Sequence, residues 1–148
     1  MKIQDIMTSS VHSIRPTDTI ADAARSMAEN DIGALPVVEG RDVIGIVTDR
    51  DIAVRGVAGA IGSDAQVRRI MTEDVVTCSP DDEVEHALEL MSNEQIRRLP
   101  VCKDGGELVG MVTLADAAER DPDKAEVGET LAEICESSGL HCQPPVFA

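Results

Sequence analysis

The sequence predicts an α/β (α+β) fold of two β-α-β-β-α repeats packed with pseudo-twofold symmetry, plus a C-terminal helix. Three observations carry this prediction. The first is a duplication: IMTSSVHSIRPTDTIADAARSMAENDIGALPVV is answered 64 positions later by IMTEDVVTCSPDDEVEHALELMSNEQIRRLPVC. Met7/Met71, Thr8/Thr72, Pro16/Pro80, Asp18/Asp82, Ala23/Ala87, Met27/Met91 and Ile32/Ile96 coincide, as do Leu35-Pro36-Val37 and Leu99-Pro100-Val101. The second is that helical and strand periodicities follow one another in the same order in both copies. The third is size. A half of roughly 55–60 residues buries too little apolar surface to stand comfortably alone. The period also exceeds that of common solenoids, so two facing copies are expected rather than an open array.

Each copy opens on a short amphipathic lead-in, KIQDIM or QVRRIM, followed by a predicted short strand at Val11–Ile14 or Val75–Cys78. Pro16 or Pro80 ends that strand, and an acidic start introduces a helix. On it Ile20, Ala23, Ala24 and Met27, or Val84, Ala87, Leu88 and Met91, fall at i, i+3, i+4 and i+7. That spacing puts one apolar stripe on each helix. Two strands follow, Ala34–Val38 with Val43–Val47 and Leu99–Cys102 with Leu108–Val112. The turn between them reads EGRD in the first copy and KDGGE in the second, so the register becomes 65. A polar, Gly-containing hairpin loop absorbs such an insertion.

A second helix is predicted from Thr48 or Thr113. Residues 1–57 thus form repeat 1, 58–66 a Gly/Ala-rich linker, 67–121 repeat 2, and 122–148 a C-terminal helix and tail. Val127, Leu131 and Ile134 are expected to line the packed face of that helix.

The composition narrows the function. A net charge of −15 disfavours nucleic acid and anionic membrane surfaces as partners. With one Phe and no Trp or Tyr, base stacking has little to work with and the core is aliphatic. No apolar run is long enough to span a membrane and the first residues do not resemble a secretory signal, so a cytoplasmic location is expected. Cys78, Cys102, Cys135 and Cys142 lack metal-knuckle or redox-pair spacing, so neither a metal nor a required cofactor is expected. No nucleophile–base pair or phosphate-binding loop is evident, which points away from an enzyme.

One repeated motif holds the chemistry: GIVTDRD (45–51) and GMVTLAD (110–116). Thr48-x-x-Asp51 and Thr113-x-x-Asp116 match a capping box with an acid at its third position, sufficient in itself to explain both residues. A Gly inside each strand, however, suggests close approach of a ligand or another backbone. The strand also feeds a helix N-terminus, where free N–H groups favour phosphate.

With these motifs in hand, the duplicated unit resembles a CBS domain, the module named after cystathionine β-synthase. The IMT lead-in, the DIGALPVV and QIRRLPVC strands and the Gly-h-x-Thr-x-x-Asp endings carry the resemblance over roughly residues 3–120. Two tandem copies are similar to a Bateman module. The resemblance implies a non-catalytic regulatory sensor that binds AMP, ADP, ATP or S-adenosylmethionine in clefts between the copies. It implies ribose contacts from Asp51 and Asp116, with Thr48 and Thr113 reaching ribose or phosphate. Adenine would lie against Val11, Ile14, Ala34 and Pro36 in one site. In the other it would lie against Val75, Cys78, Arg98 and Pro100. Arg97 and Arg98 suit phosphate recognition beside the second motif, and Arg50 could serve either cleft. The resemblance further implies a disc-like homodimer passing its signal to a protein partner. In that fold the strands holding Cys78 and Cys102 run side by side, which makes a disulfide between them conceivable. Two other functions stay open: a ligand-independent dimeric interaction subunit, and a thiol-based redox sensor.

Overall fold

The computed structural model describes residues 1–120 and 124–135. The tail from 136 on, with His141, Cys142 and Phe147, and the expected boundary between repeat 2 and the C-terminal segment at 121/122 lie outside the described residues. The elements are α1 (Ile3–Ile6), α2 (Ile20–Asn30), β1 (Ala34–Glu39), β2 (Asp42–Thr48), α3 (Asp49–Asp51), α4 (Val84–Glu94), β3 (Arg98–Cys102), β4 (Leu108–Thr113), α5 (Leu114–Arg120) and α6 (Lys124–Ile134). Two antiparallel hairpins, β1–β2 and β3–β4, form the sheets. The inserted residue falls in the β3–β4 turn, where Gly105 and Gly106 both take positive φ.

The predicted first strands shrink to single bridges. Ile14 pairs in parallel with Val37, and Cys78 with Val101. Proline two residues later cannot donate to a ladder, so pairing stops there.

The chain divides into two compact units, and these do not coincide with the sequence repeats. One contains Met1–Ser9 with Val76–Val101 and the residues from Val109 on; the other contains Ser10–Val75 with Cys102–Leu108. Each repeat has therefore given its lead-in to the body of the other. In the first unit the Ile3 N–H donates to the Asp82 carbonyl at 2.9 Å and Gln4 to Pro80 at 3.0 Å. In the second, the equivalent Val67 donates to Asp18 at 2.8 Å and Arg68 to Pro16 at 3.1 Å. Ile3 and Ile6 are fully buried with Val84, Leu88, Leu99 and Val112. Val67 and Ile70 are buried with Ile20, Ala23, Leu35 and Val47. Each such aliphatic side chain contributes about 1.5–3 kcal/mol by leaving water.

The exchange accounts for the mid-strand glycines. Met71-Thr72 lies antiparallel against β2, with Ile46 and Thr72 exchanging hydrogen bonds of 3.0 and 2.9 Å. A Cβ on Gly45 would stand 2.8 Å from Met71 Sδ and 3.0 Å from the Thr72 carbonyl oxygen. Thr8 and Met111 pair likewise, and a Cβ on Gly110 would stand 2.6 Å from Met7 Sδ and 3.1 Å from the Thr8 oxygen. The neighbour that a Cβ would meet is the other repeat's lead-in, through its Met side chain and its Thr carbonyl.

On α4 all four stripe residues are buried; on α2 Ile20, Ala23 and Met27 are, but Ala24 is exposed. On α6 the packed residues are Val127, Thr130 and Ile134, whereas Leu131 is 44% exposed. Positions 127, 130 and 134 and positions 127, 131 and 134 both fit helical periodicity, so spacing left the face undecided by one residue, or about 100°. The linker is structured: Ala65 and Ser63 carbonyls accept the N–H groups of Ile20 and Ala21 at the start of α2.

Helix α2 carries a testable cap. The Thr19 N–H donates to Asp22 Oδ2 at 3.0 Å, and Asp22 N–H to Thr19 Oγ1 at 3.1 Å. The Thr19 backbone N–H, then its hydroxyl, then Arg25 hold the Asp22 carboxyl below its ordinary value of 3.8. A lowered folded-state pKa means this cap stabilises above the ordinary value, with the contribution lost as pH falls through the folded one. Protection factors of the amides at the start of α2, which divide out the intrinsic slowing of exchange in acid, should fall in the wild type as pH drops below the ordinary carboxyl value. In Asp22→Asn they should already be lower at neutral pH and change little with acid.

Candidate functional site

Each Thr-x-x-Asp pair sits where a strand turns into a helix, within one unit. After β2, the Thr48 N–H donates to Asp51 Oδ2 at 3.0 Å and the Asp51 N–H to Thr48 Oγ1 at 3.1 Å. After β4, the Thr113 N–H donates to Asp116 Oδ2 at 2.8 Å, its hydroxyl to the same oxygen at 2.7 Å, and Asp116 N–H to Thr113 Oγ1 at 3.1 Å. Both are complete capping boxes. The motif alone does not mark a site, because Thr19-x-x-Asp22 forms the same box at an ordinary helix start. Burial separates them: the Asp51 side chain is 13% exposed against 47% for Asp22. The cap occupies Oδ2 of each repeated acid. Oδ1 of Asp51 faces Arg55 at 3.9 Å, and Oδ1 of Asp116 accepts no hydrogen bond from the described residues.

The surrounding residues gather around each pair. In the first repeat the Ile14 N–H donates to the Pro36 carbonyl at 3.0 Å, Ala34 lies opposite Thr48 in the ladder, and Asp49 N–H donates to the Gly33 carbonyl at 3.0 Å. Ile14, Ala34 and Pro36 are buried and Val11 is half-buried. In the second, Cys78 N–H donates to Pro100 at 3.1 Å and Leu114 N–H to Arg97 at 2.9 Å, reproducing the arrangement. Val75 is the exception, grouping with the other unit. Arg98 takes the position that Ala34 holds in the first repeat. Arg97 is exposed and Arg98 half-buried; among the described residues no carboxylate stands within 4.0 Å of either, or of Arg50. Arg50 is exposed, with its backbone N–H on Asp49 Oδ1.

The helix after Thr48 differs from its counterpart. Beyond α3 the chain widens into a π-helical segment, Ile52–Val57, whereas α5 is regular. Widened turns of this kind are enriched at functional sites. Sequence reasoning missed two residues here, Arg55 and Arg120, one helical turn beyond Asp51 and Asp116. Their signal was present: both stand at i+4 from the repeated acid and in the register of 65.

Cys78 and Cys102 are buried thiols in the structure, not a disulfide, and the Cys78 thiol donates to the Pro100 carbonyl at 3.9 Å. Burial, then the nearby Asp42 charge, pushes the Cys102 thiol above its ordinary value. A protonated, buried thiol is a poor nucleophile. Iodoacetamide at neutral pH should therefore modify the exposed Cys135 well before Cys102, as read by peptide mass mapping. Among the described residues no group of three or more His, Cys, Asp or Glu side chains could hold a metal ion. No helix among them is long and apolar enough to cross a membrane.

Comparison with known proteins gives the geometry its context. The CBS domain family model matches residues 3–56 and 67–123. The chain is 38% identical over 132 residues to the CBS domain-containing protein YhcV of Bacillus subtilis, covering 89% of this chain and 94% of that protein. It is 33% identical over 139 residues to Hypoxic response protein 1 of Mycobacterium tuberculosis, covering 93% and 96%. The crystal structure of Hypoxic Response Protein I, which holds two coordinated zinc ions, superposes with a TM-score of 0.76 at 32% identity over 82% of this chain and all of that one. The CBS domain pair of protein MJ0100, in complex with 5'-methylthioadenosine and S-adenosyl-L-methionine, gives a TM-score of 0.74 at 29% identity, covering 80% and 94%. Two matches to one family model, in register with the internal duplication and with the fold that follows from it, place this chain in the CBS domain family as a tandem pair of CBS repeats.

Proposed function

We propose that this chain is a non-catalytic sensor whose two repeats each present a Thr–Asp pair to an adenosine-containing ligand. Asp51 and Asp116 accept from ribose hydroxyls, and Thr48 and Thr113 reach ribose or phosphate oxygens. Ile14, Ala34 and Pro36, or Cys78, Arg98 and Pro100, provide the wall for the base. Arg97 and Arg98 favour a phosphorylated ligand at the second motif, since a guanidinium without a protein carboxylate partner is open to bidentate phosphate contacts. The observation that carries this reading is the resemblance in fold and sequence to the MJ0100 domain pair, a complex with two adenosyl compounds. The part-buried carboxylates, each with its cap confined to one oxygen, support it. A cytoplasmic homodimer that signals to a protein partner completes the proposal.

The complete capping boxes favour one other reading, in which Thr48 and Thr113 only start helices and the protein is a ligand-independent interaction subunit. A thermal-shift panel of AMP, ADP, ATP, NAD and S-adenosylmethionine separates the two. A ligand at about 100 times its Kd adds about 2.7 kcal/mol, a rise of several degrees. Asp51→Ala and Asp116→Ala should each diminish that rise, measured from the variant's own ligand-free Tm. An equal rise in the wild type and both variants, or none in any, would leave only the capping role.

A further inference from the structure

Arg55 and Arg120 occupy equivalent positions and share one equivalent contact, each within its own unit. Arg55 Nη1 donates to the Ile70 carbonyl at 3.3 Å and the Met71 carbonyl at 3.2 Å. Arg120 Nη1 donates to the Ile6 carbonyl at 3.3 Å. Ile6 and Ile70 correspond across the duplication. Both stand at the end of a lead-in turn, α1 ending at Ile6 and a 3₁₀ turn running from Val67 to Arg69. Carbonyls at a helix end lack intrahelical donors and carry partial negative charge, so a guanidinium is well placed there. The i,i+4 step puts each arginine on the helix face of its acid. In the first repeat the same guanidinium also holds its Nε 3.9 Å from Asp51 Oδ1. No ion pair joins Arg120 to Asp116.

We infer that Arg55 and Arg120 are positioning residues that lock each exchanged lead-in segment against the helix bearing the repeated acid, Arg55 also orienting the Asp51 carboxylate. An isolated exposed ion pair contributes little. Here one planar fork meets two backbone carbonyls and a carboxylate that is mostly buried, a combination a lysine point charge cannot reproduce. A ligand hydroxyl reaching Asp51 Oδ1 would share that oxygen with Arg55. Occupancy of the first-repeat site would therefore be felt by the Ile70–Thr72 segment, whereas Asp116 has no such direct link to its lead-in. The ligand part of this inference rests on the adenosine reading above; the clamp itself does not.

The test uses Arg55→Gln, Arg55→Lys and Arg120→Gln in the full chain, with two readouts. In ligand-free protein, hydrogen exchange at Ile46 and Thr72 should quicken about tenfold in Arg55→Gln, and at Thr8 and Met111 in Arg120→Gln. Calorimetric titration with AMP, in an Asp116→Ala background that leaves the first-repeat site, should show Arg55→Gln weakening affinity about three- to tenfold. Arg55→Lys should recover part of that affinity while exchange at Ile46 and Thr72 stays fast. Unchanged exchange in all three variants would overturn the clamp. Faster exchange with unaltered AMP affinity would overturn the orienting role of Arg55. If the unmodified chain binds none of AMP, ADP, ATP, NAD and S-adenosylmethionine, the adenosine reading fails together with the orienting role, and exchange alone still decides the clamp; if it binds another of these but not AMP, that ligand replaces AMP in the titration. Should Arg55→Gln fail to fold, Arg55→Lys carries the same exchange prediction.

Discussion

Truncating Ile6 to alanine is expected to cost about 2–5 kcal/mol, the usual range for removing a large aliphatic side chain from a packed core. The Tm should fall by roughly 10 °C. Ile6 is 1% exposed and packs with the second-repeat body, among Val84, Leu88, Leu99 and Val112. The location of the damage is therefore the informative part. Native-state hydrogen exchange should show protection lost first across Val84–Glu94 and Leu108–Thr113, with Ile20–Asn30 less affected. Ile70→Ala should produce the mirror image, loosening α2 and the β1–β2 hairpin first, because Ile70 belongs to the other core. If Ile6→Ala instead weakened its own repeat, the exchange of lead-ins would be wrong. The measurement thus tests a tertiary pairing through a single buried side chain.

Gly45→Val is expected to destabilise by about 1–3 kcal/mol or more, through overpacking rather than cavity formation. The first carbon alone would stand 2.8 Å from Met71 Sδ and 3.0 Å from the Thr72 oxygen, and valine adds two more atoms. Methionine is flexible and can withdraw its sulfur. The Thr72 carbonyl cannot, since it accepts the Ile46 N–H at 3.0 Å. Adding Met71→Ala should therefore recover only part of the loss, and a double-mutant cycle on chemical denaturation gives the share. A Gly45→Val protein with wild-type stability would remove the close-approach explanation. Gly110→Val, facing Met7 and Thr8, should behave in the same way.

Both expectations concern a feature that a local reading of the strand left open between two neighbours. The glycines of GIVTDRD and GMVTLAD suggested close approach by a ligand or a backbone; the neighbour is the IMT segment of the other copy. The repeated Met and the repeated Gly are thus two halves of one contact. The chain shows both patterns but not their pairing, which brings together positions 26 residues apart in one case and 103 in the other. Arg55 and Arg120 were missed for a related reason. Their hydrogen-bond partners are backbone carbonyls, which have no identity in a sequence.

The sequence by itself determined the duplicated unit, the two hairpins with their extra turn residue, the stripe of α4 and the Thr–Asp caps. Each of these is set by contacts within a few residues or by periodicity along one element, and the repetition doubled every signal. The family follows from the same features. Only the tertiary structure decided which copy receives each lead-in, which face of α6 is buried, and why glycine stands within β2 and β4. It also decided that Asp51 is held mostly out of water, unlike Asp22, although each stands beside a guanidinium. The physical reason is common to all of these. Burial, close approach and sharing of one carboxylate oxygen are properties of side chains distant in sequence, and local propensity carries no record of which distant segment arrives.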